Sequence, residues 1–334
     1  MDRIEQLLAA YAGAVPGASL LVLRDGRPWR RQAWGLAELA TGRPATPTTN
    51  YRLASISKQF TATAILLLVQ DGPLALDAPL RRWLPTLPPA LDAATLRHAL
   101  CHRTGVVDYE DFVDPAATQQ WRDADVLALL ETVPRTLFPP GSDWRYSNGG
   151  YALLALVVER VSGMAFEAFL QERIFRPLGM AGTLARTAAG PPVPERAFGC
   201  RGGDGAWAIA DQDATSAVLG DGGIYSSVDD LAKWDAALDD DRLLCDAMRR
   251  EAFSVQSASD DPGVDYGLGW RLSGDVAWHS GESIGFRNVM LRRPARNTTA
   301  SRMTARRTTV ILLTNRDEPP PLAIARDIMA LAEA

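Results

Sequence analysis

The sequence predicts an α+β fold: a central antiparallel sheet, helices from both chain ends packed on it, and a mostly helical region alongside. Three observations predict it. Runs rich in β-branched and apolar residues gather near the two ends of the 334-residue chain, the text between residues 73 and 240 carries helical spacing broken by proline and glycine, and helical stripes occupy both termini. Residues 1–72 and 241–334 are therefore assigned to one α/β region built on a shared antiparallel sheet, and residues 73–240 to a mostly helical region. A functional site is expected at the seam between them.

The elements follow in order. Ile4, Leu7, Leu8 and Tyr11 fall on one side of a helix over residues 3–12, which Pro16-Gly17 closes. ASLLVLRDGRPWRRQAWG, residues 18–35, reads as a hairpin turning at Asp25-Gly26. Residues 56–70 are apolar on every side until Asp71-Gly72-Pro73 stops them, the pattern of a helix buried in the middle of a protein. Further helices are expected around 92–101, 124–131, 150–161, 165–174 and 228–238, the last opening with a capping-box-like Ser227-Val-Asp-Asp230. Pro85, Pro88 and Pro89 mark a loop inside the helical region. Strands are expected at 267–273, 275–279, 285–292 and 308–314, and Pro319 to Pro321 precede a C-terminal helix.

Composition narrows the function classes. A hydrophobic content of 47% with 22% charged residues is that of a globular protein. A net charge of −5 argues against nucleic acid or an anionic membrane as partner, and the local basic run of Arg292, Arg293, Arg296, Arg302, Arg306 and Arg307 reads as a solvated loop. The N-terminal segment does not read as a signal peptide, and the longest apolar run, AILLLVQ at 64–70, is far too short to span a bilayer, so a cytoplasmic location is expected. Cys101, Cys200 and Cys245 show no metal-ligand spacing and read as reduced structural residues; no metal or cofactor is called for.

Chemistry concentrates in RLASISKQFTA, residues 52–62. Of 35 basic residues only Lys58 and Lys233 are lysines, so a site that merely needs charge should hold arginine. With Ser55 at the start of the apolar helix, Lys58 lies three residues on and on the same face, where its amine reaches the serine oxygen. The N–H groups of that helix end also favour negative charge beside the serine. Lysine can lose its proton on desolvation or beside other cations, whereas arginine cannot. Lys58 can therefore take the proton of Ser55, or hold a neighbouring phenol deprotonated, as a nucleophilic mechanism requires. Ser57, adjacent to Lys58, does not share its face.

Two later segments add to this. WRYSNGGY places Tyr146 and Asn148 two apart in a glycine-bounded loop, a phenol to relay a proton and an amide to hold Lys58 and a substrate carbonyl. WHSGES places His279, Ser280 and Gly281 at the end of a strand, where glycine lets a substrate backbone lie close.

On these residues the chain resembles the penicillin-recognising serine hydrolases, in the branch holding class C β-lactamases, DD-peptidases, D-aminopeptidases and esterases. The family motifs SxxK, YxN and KTG or HxG are matched in order by Ser55-Ile-Ser-Lys58, Tyr146-Ser-Asn148 and His279-Ser-Gly281. CHRTGVVDY at 101–109, LGDGGIYSSVDDLAKW at 219–234 and YGLGW at 266–270 are similar to supporting segments, so the resemblance runs from about residue 15 to 330. It implies a two-region β-lactamase-like fold and acylation of Ser55, with Lys58 and Tyr146 moving protons. It further implies that Asn148 positions the substrate and that the N–H groups of Ser55 and Glu282 form the oxyanion hole. His279 stands where β-lactamases carry lysine, and a neutral imidazole supplies no charge for a substrate carboxylate. Arg287 is a candidate replacement for that charge, or else a surface strand arginine. His102 is read as a structural hydrogen-bonding residue, and His98 as a packed or solvated helix residue.

Gly281-Glu-Ser283-Ile-Gly285 also matches GxSxG, but that elbow needs a helix after the serine and a histidine downstream, and neither is present. The sequence thus implies a serine hydrolase acting on a small ester, amide or short peptide. The alternative is a non-catalytic relative that binds peptidoglycan fragments or a protein partner through the same cleft. Oligomeric state is not legible.

Overall fold

A computed structural model describes residues 2–114, 116–203, 206–294 and 307–334. Its centre is an eight-stranded sheet in the spatial order Ser257–Ala258, Asp265–Tyr266, Arg271–Ser273, Val276–Ser283, Phe286–Arg293, Thr308–Thr314, Ala18–Arg24, Arg27–Trp34. Every neighbouring pair is antiparallel, and the register Leu20↔Leu312 and Leu21↔Ile311 joins the first long strand to the last. The two β-rich ends of the chain therefore do share one sheet.

The period of two along each strand explains how helices cover both faces. Leu20, Val22, Val289, Leu291, Val310 and Leu312 pack with Ile4, Leu8 and Tyr11 from the N-terminus and with Ala325, Ile328 and Met329 of the C-terminal helix Pro321–Glu333. Leu21, Leu23, Met290, Ile311 and Leu313 face the other way, into the main core that holds the helix Lys58–Gln70. That helix is buried at every position from Lys58 to Leu68, as its all-round apolar text requires. Among the described residues no helix is long and apolar enough to cross a membrane.

Several expectations need correction. The segment read as a glycine-bounded loop at WRYSNGGY is the start of a helix, Asn148–Ser162, because the Ser147 hydroxyl caps it by accepting from the Gly150 N–H at 3.0 Å. Only Arg271–Ser273 of the expected strand at 267–273 is extended. Gly269, with φ of 81°, turns the chain so closely over the buried helix that a Cβ would stand 2.9 Å from the Lys58 carbonyl oxygen. The basic run is not simply a solvated loop: Arg292 is 3% exposed and pairs with the buried Asp235 at 3.0 Å, and Arg307 joins the same carboxylate. Arg296, Arg302 and Arg306 lie outside the described residues. Ser227 caps its helix by accepting from the Asp230 N–H, but the Asp230 carboxylate turns away to Gly182 and Thr183 instead of closing a capping box. Lys233, the second lysine, bonds Asp230 and the Gly179 carbonyl at the surface.

A small sheet absent from the sequence reading matters for the site. It orders Tyr51–Arg52, Ile224–Ser226 and Leu184–Ala185, and so ties the chain just before Ser55 to the segment just after Asp221.

Candidate active site

The strand Tyr51–Arg52 runs into a tight 3-10 turn, Ala54–Ser57, that continues directly into the helix Lys58–Gln70. Ala54 has φ of 50°, an uncommon conformation for a residue with a side chain and a sign of a constrained turn. Two contacts hold it. The Leu53 N–H donates to the Ile224 carbonyl at 2.8 Å, and the strand Val276–Ser283 passes so close that a Cβ on Gly281 would overlap the Leu53 carbonyl oxygen. Gly281 is thus needed for the approach of the protein's own backbone, where the sequence suggested room for a substrate. Ser57 is structural, its hydroxyl accepting from the Ile224 N–H at 3.3 Å.

Lys58 is fully buried and organises the site. Its Nζ donates to Ser55 Oγ at 3.0 Å, to Asn148 Oδ1 at 2.8 Å and to the Asp221 carbonyl at 2.9 Å. Three acceptors match the three N–H donors of an ammonium, so general-base action on Ser55 requires Lys58 to pass one proton on first. The Tyr146 and Tyr151 rings close over the amine, with centroids 4.9 and 5.4 Å from Nζ.

The Asp221 carbonyl is held in place from two sides. Asp123 accepts from the N–H groups of Leu219 and Gly220 at 3.0 and 2.9 Å, and Thr61 donates to the Gly220 carbonyl at 2.7 Å. The Asp221 carboxylate accepts from the Tyr109 hydroxyl at 2.8 Å, and burial raises its pKa while the nearby Lys58 opposes the rise.

Glu110, next in the chain to Tyr109, accepts from Asn148 Nδ2 at 3.0 Å, and no second acceptor meets that amide nitrogen among the described residues. Although one edge of Glu110 opens to solvent, desolvation on its protein side pushes its carboxyl up to about 7, with Asp221 and Asp108 adding to the rise and Lys58 opposing it. The sequence reading missed Glu110. Its only signal was its position two residues after Asp108 in the CHRTGVVDY segment and its continuation.

Tyr146 and His279 come near the group without completing it by direct bonds. The Tyr146 ring packs 4.2 Å from the His102 ring and 6.2 Å from that of His279, and its hydroxyl is buried with no hydrogen-bond partner among the described residues. His279 is 2% exposed: Nδ1–H donates to the Ser280 carbonyl at 2.6 Å and Nε2 accepts from the Tyr266 hydroxyl at 3.0 Å. Burial, helped by the Arg271 charge, pushes its pKa down to about 3, so it is a neutral ring with both nitrogens engaged. His102 is structural, as expected: Nδ1 accepts from the Ser147 N–H at 3.0 Å, which fixes the residue before Asn148.

Glu282 and Ser283 end their strand at the mouth of the site. Arg287 turns to the carbonyls of Ile284 and Phe286 and pairs with Glu282 at 3.5 Å. Ser283 accepts from Arg52 Nε at 3.1 Å, and the strand Phe286–Arg293 follows it, so the helix demanded by a GxSxG elbow is not there. Ser55, Asn148, Glu110, Asp221, Gly222, Arg52, Thr215, Glu282 and Ser283 together line a cavity of about 40 Å³. Wider clefts of about 550 and 660 Å³ along the Thr187–Arg196 loop share no residue with it and hold no nucleophile–base pair; the chemistry marks the smaller one.

Comparison with known proteins shows the family. A family model described as Beta-lactamase matches residues 2–334. The chain is 30% identical to penicillin-binding protein 4* of Bacillus subtilis over 324 residues, 90% of this chain and 68% of that protein. It is 32% identical to a D-aminopeptidase of Brucella anthropi over 77% of this chain, and spans about half (49%) of that relative. Among solved structures, D-amino acid amidase from Ochrobactrum anthropi SV3 complexed with D-phenylalanine superposes with a TM-score of 0.79 at 26% identity, covering 99% of this chain and 97% of that one. With the ordered motifs, the shared sheet and the match from residue 2 to residue 334, the chain belongs to the Beta-lactamase family of serine hydrolases.

Proposed function

We propose that this chain acylates Ser55 with the amide or ester of an amine-bearing acyl group, such as an amino-acid amide or a short peptide with a free amino terminus, and then hydrolyses the acyl-enzyme. The observation that carries the reading is Lys58 Nζ at 3.0 Å from Ser55 Oγ, in a buried hub shared with Asn148. Once Lys58 has released a proton it takes the one on Ser55, and the serine oxygen attacks the carbonyl carbon. The N–H groups of Ser55 and Glu282 receive the oxyanion. Tyr146, whose ring covers Nζ and whose hydroxyl has no hydrogen-bond partner among the described residues, passes its proton to the leaving amine or alcohol and regains one from the Lys58 ammonium. Water then attacks the ester by the same route in reverse.

Glu110 supports the amine part of the reading, since its carboxylate lines the cavity beside the amide that meets the substrate. The names of the relatives, D-aminopeptidase and D-amino acid amidase, point the same way. A neutral His279 and an Arg287 turned to Glu282 leave those two positions without a free cation for a substrate acid. The test compares D- and L-alaninamide with their N-acetyl counterparts. Hydrolysis should favour the free amines and vanish in Ser55→Ala. Equal rates with the acetylated amides would refute the amine requirement, and full activity in Ser55→Ala would refute the acyl-enzyme.

A further inference from the structure

Arg52 sits three residues before Ser55 and is 2% exposed. Its Nε donates to Ser283 Oγ at 3.1 Å and its Nη1 to the Ser216 carbonyl at 2.9 Å. Among the described residues no carboxylate lies within ion-pair distance of it. Asp221 feels its charge, but that carboxylate is engaged by Tyr109. A buried guanidinium bonded only to a hydroxyl and a carbonyl is costly, and its planar fork is shaped for a carboxylate.

The free end of this group is Nη2, and the glycine at 222 leaves it open. A Cβ on Gly222 would stand 3.8 Å from Arg52 Nη2 and 3.6 Å from Ala54 Cα, in the space between the arginine and the turn that presents Ser55. Arg52, Gly222, Thr215 and Ser283 line the same cavity as Ser55. The other cations and near-cations around the site are engaged: Lys58 by three acceptors, Arg287 by Glu282 and two carbonyls, Arg271 by Asp261, and His279 is neutral.

We propose that Arg52 is a specificity-determining residue that takes a carboxylate of the substrate in the part of the cavity bounded by Thr215, Gly222 and Ser283. The inference rests on the acylation of Ser55. The carboxylate can belong to the acyl group or to the leaving group, and both present the same planar anion.

Two matched ester pairs distinguish the sources. On the acyl side, mono-p-nitrophenyl succinate is compared with its succinamate; on the leaving-group side, 3-carboxyphenyl acetate is compared with 3-carbamoylphenyl acetate. In one pair the carboxylate should raise kcat/KM roughly ten- to hundredfold over the carboxamide, the range for a hydrogen-bonded charge. Arg52→Gln should bring that ratio close to one. Gly222→Ala, whose added methyl makes only ordinary contacts, should lower it while leaving the arginine in place. Should Arg52→Gln fail to fold, the wild-type ratios and Gly222→Ala decide. Ser55-dependent turnover with no carboxylate preference in either pair overturns the role of Arg52 alone, as does a preference that survives Arg52→Gln. Turnover that persists in Ser55→Ala overturns the acylation reading and this one with it.

Discussion

Replacing Lys58 with arginine keeps the charge and removes the ability to shed a proton, which makes it the sharpest test of the hub. Nζ is a single point reached by Ser55 Oγ at 3.0 Å, Asn148 Oδ1 at 2.8 Å and the Asp221 carbonyl at 2.9 Å. A planar guanidinium spreads its donors over a fork and cannot serve three acceptors arranged around one atom. At a fully buried position roofed by Tyr146 and Tyr151, the added bulk should cost about 1–3 kcal/mol of stability. Loss of the general base alone is worth roughly 10²–10⁴ in rate, or about 3–5 kcal/mol of barrier. Stopped-flow release of p-nitrophenol from p-nitrophenyl acetate gives the acylation rate, and circular dichroism melting of the same sample shows whether the variant is folded. A folded Lys58→Arg that acylates at nearly the wild-type rate would refute the role of Lys58 as base.

Glu110, held at about 7, is ionised above that pH and neutral below it, so KM for amine-bearing substrates should rise as pH falls through 7. Glu110→Gln should show the high KM throughout, and an inflection that persists in that variant would contradict the assignment. Gly281→Ala drives a methyl into the Leu53 carbonyl and should shift the Ser55 turn, lowering kcat by about 10²-fold for a displacement near 1 Å; wild-type kinetics would show that the approach is not needed. Asp123→Asn turns an amide NH₂ toward one of the Leu219 and Gly220 N–H groups, so urea unfolding should report a loss of about 1–3 kcal/mol together with slower acylation, and an unchanged midpoint would contradict the pinning of the Asp221 carbonyl.

The parts of the site written locally were legible. Ser55 and Lys58 share one turn of the chain, and the scarcity of lysine sets Lys58 apart in the sequence; Lys233 is a surface tether. The shared sheet was legible too, because Ala18–Arg24 and Thr308–Thr314 are near-continuous runs of apolar and β-branched residues, so both faces of each strand need cover. What escaped depended on segments distant in sequence. Tyr109 reaches Asp221 across 112 residues, and no periodicity encodes such a meeting; that of Asn148 with Lys58, across 90, was legible only through the YxN motif. Glu110 and Arg52 look like ordinary surface charges in the text; only the closing of the 219–222 turn over Ser55 gives them a cavity to line. Gly281 was marked for close approach and the Leu53 carbonyl is the neighbour it meets, since a glycine signals close approach without naming what approaches.

Whether Ser55 carries the acyl group is read out by peptide mass spectrometry of the protein quenched during turnover of p-nitrophenyl acetate, or after reaction with a fluorophosphonate. A single adduct is expected on the peptide containing Ser55, absent in Ser55→Ala. An adduct on Ser283, or turnover with no adduct on Ser55, would contradict it.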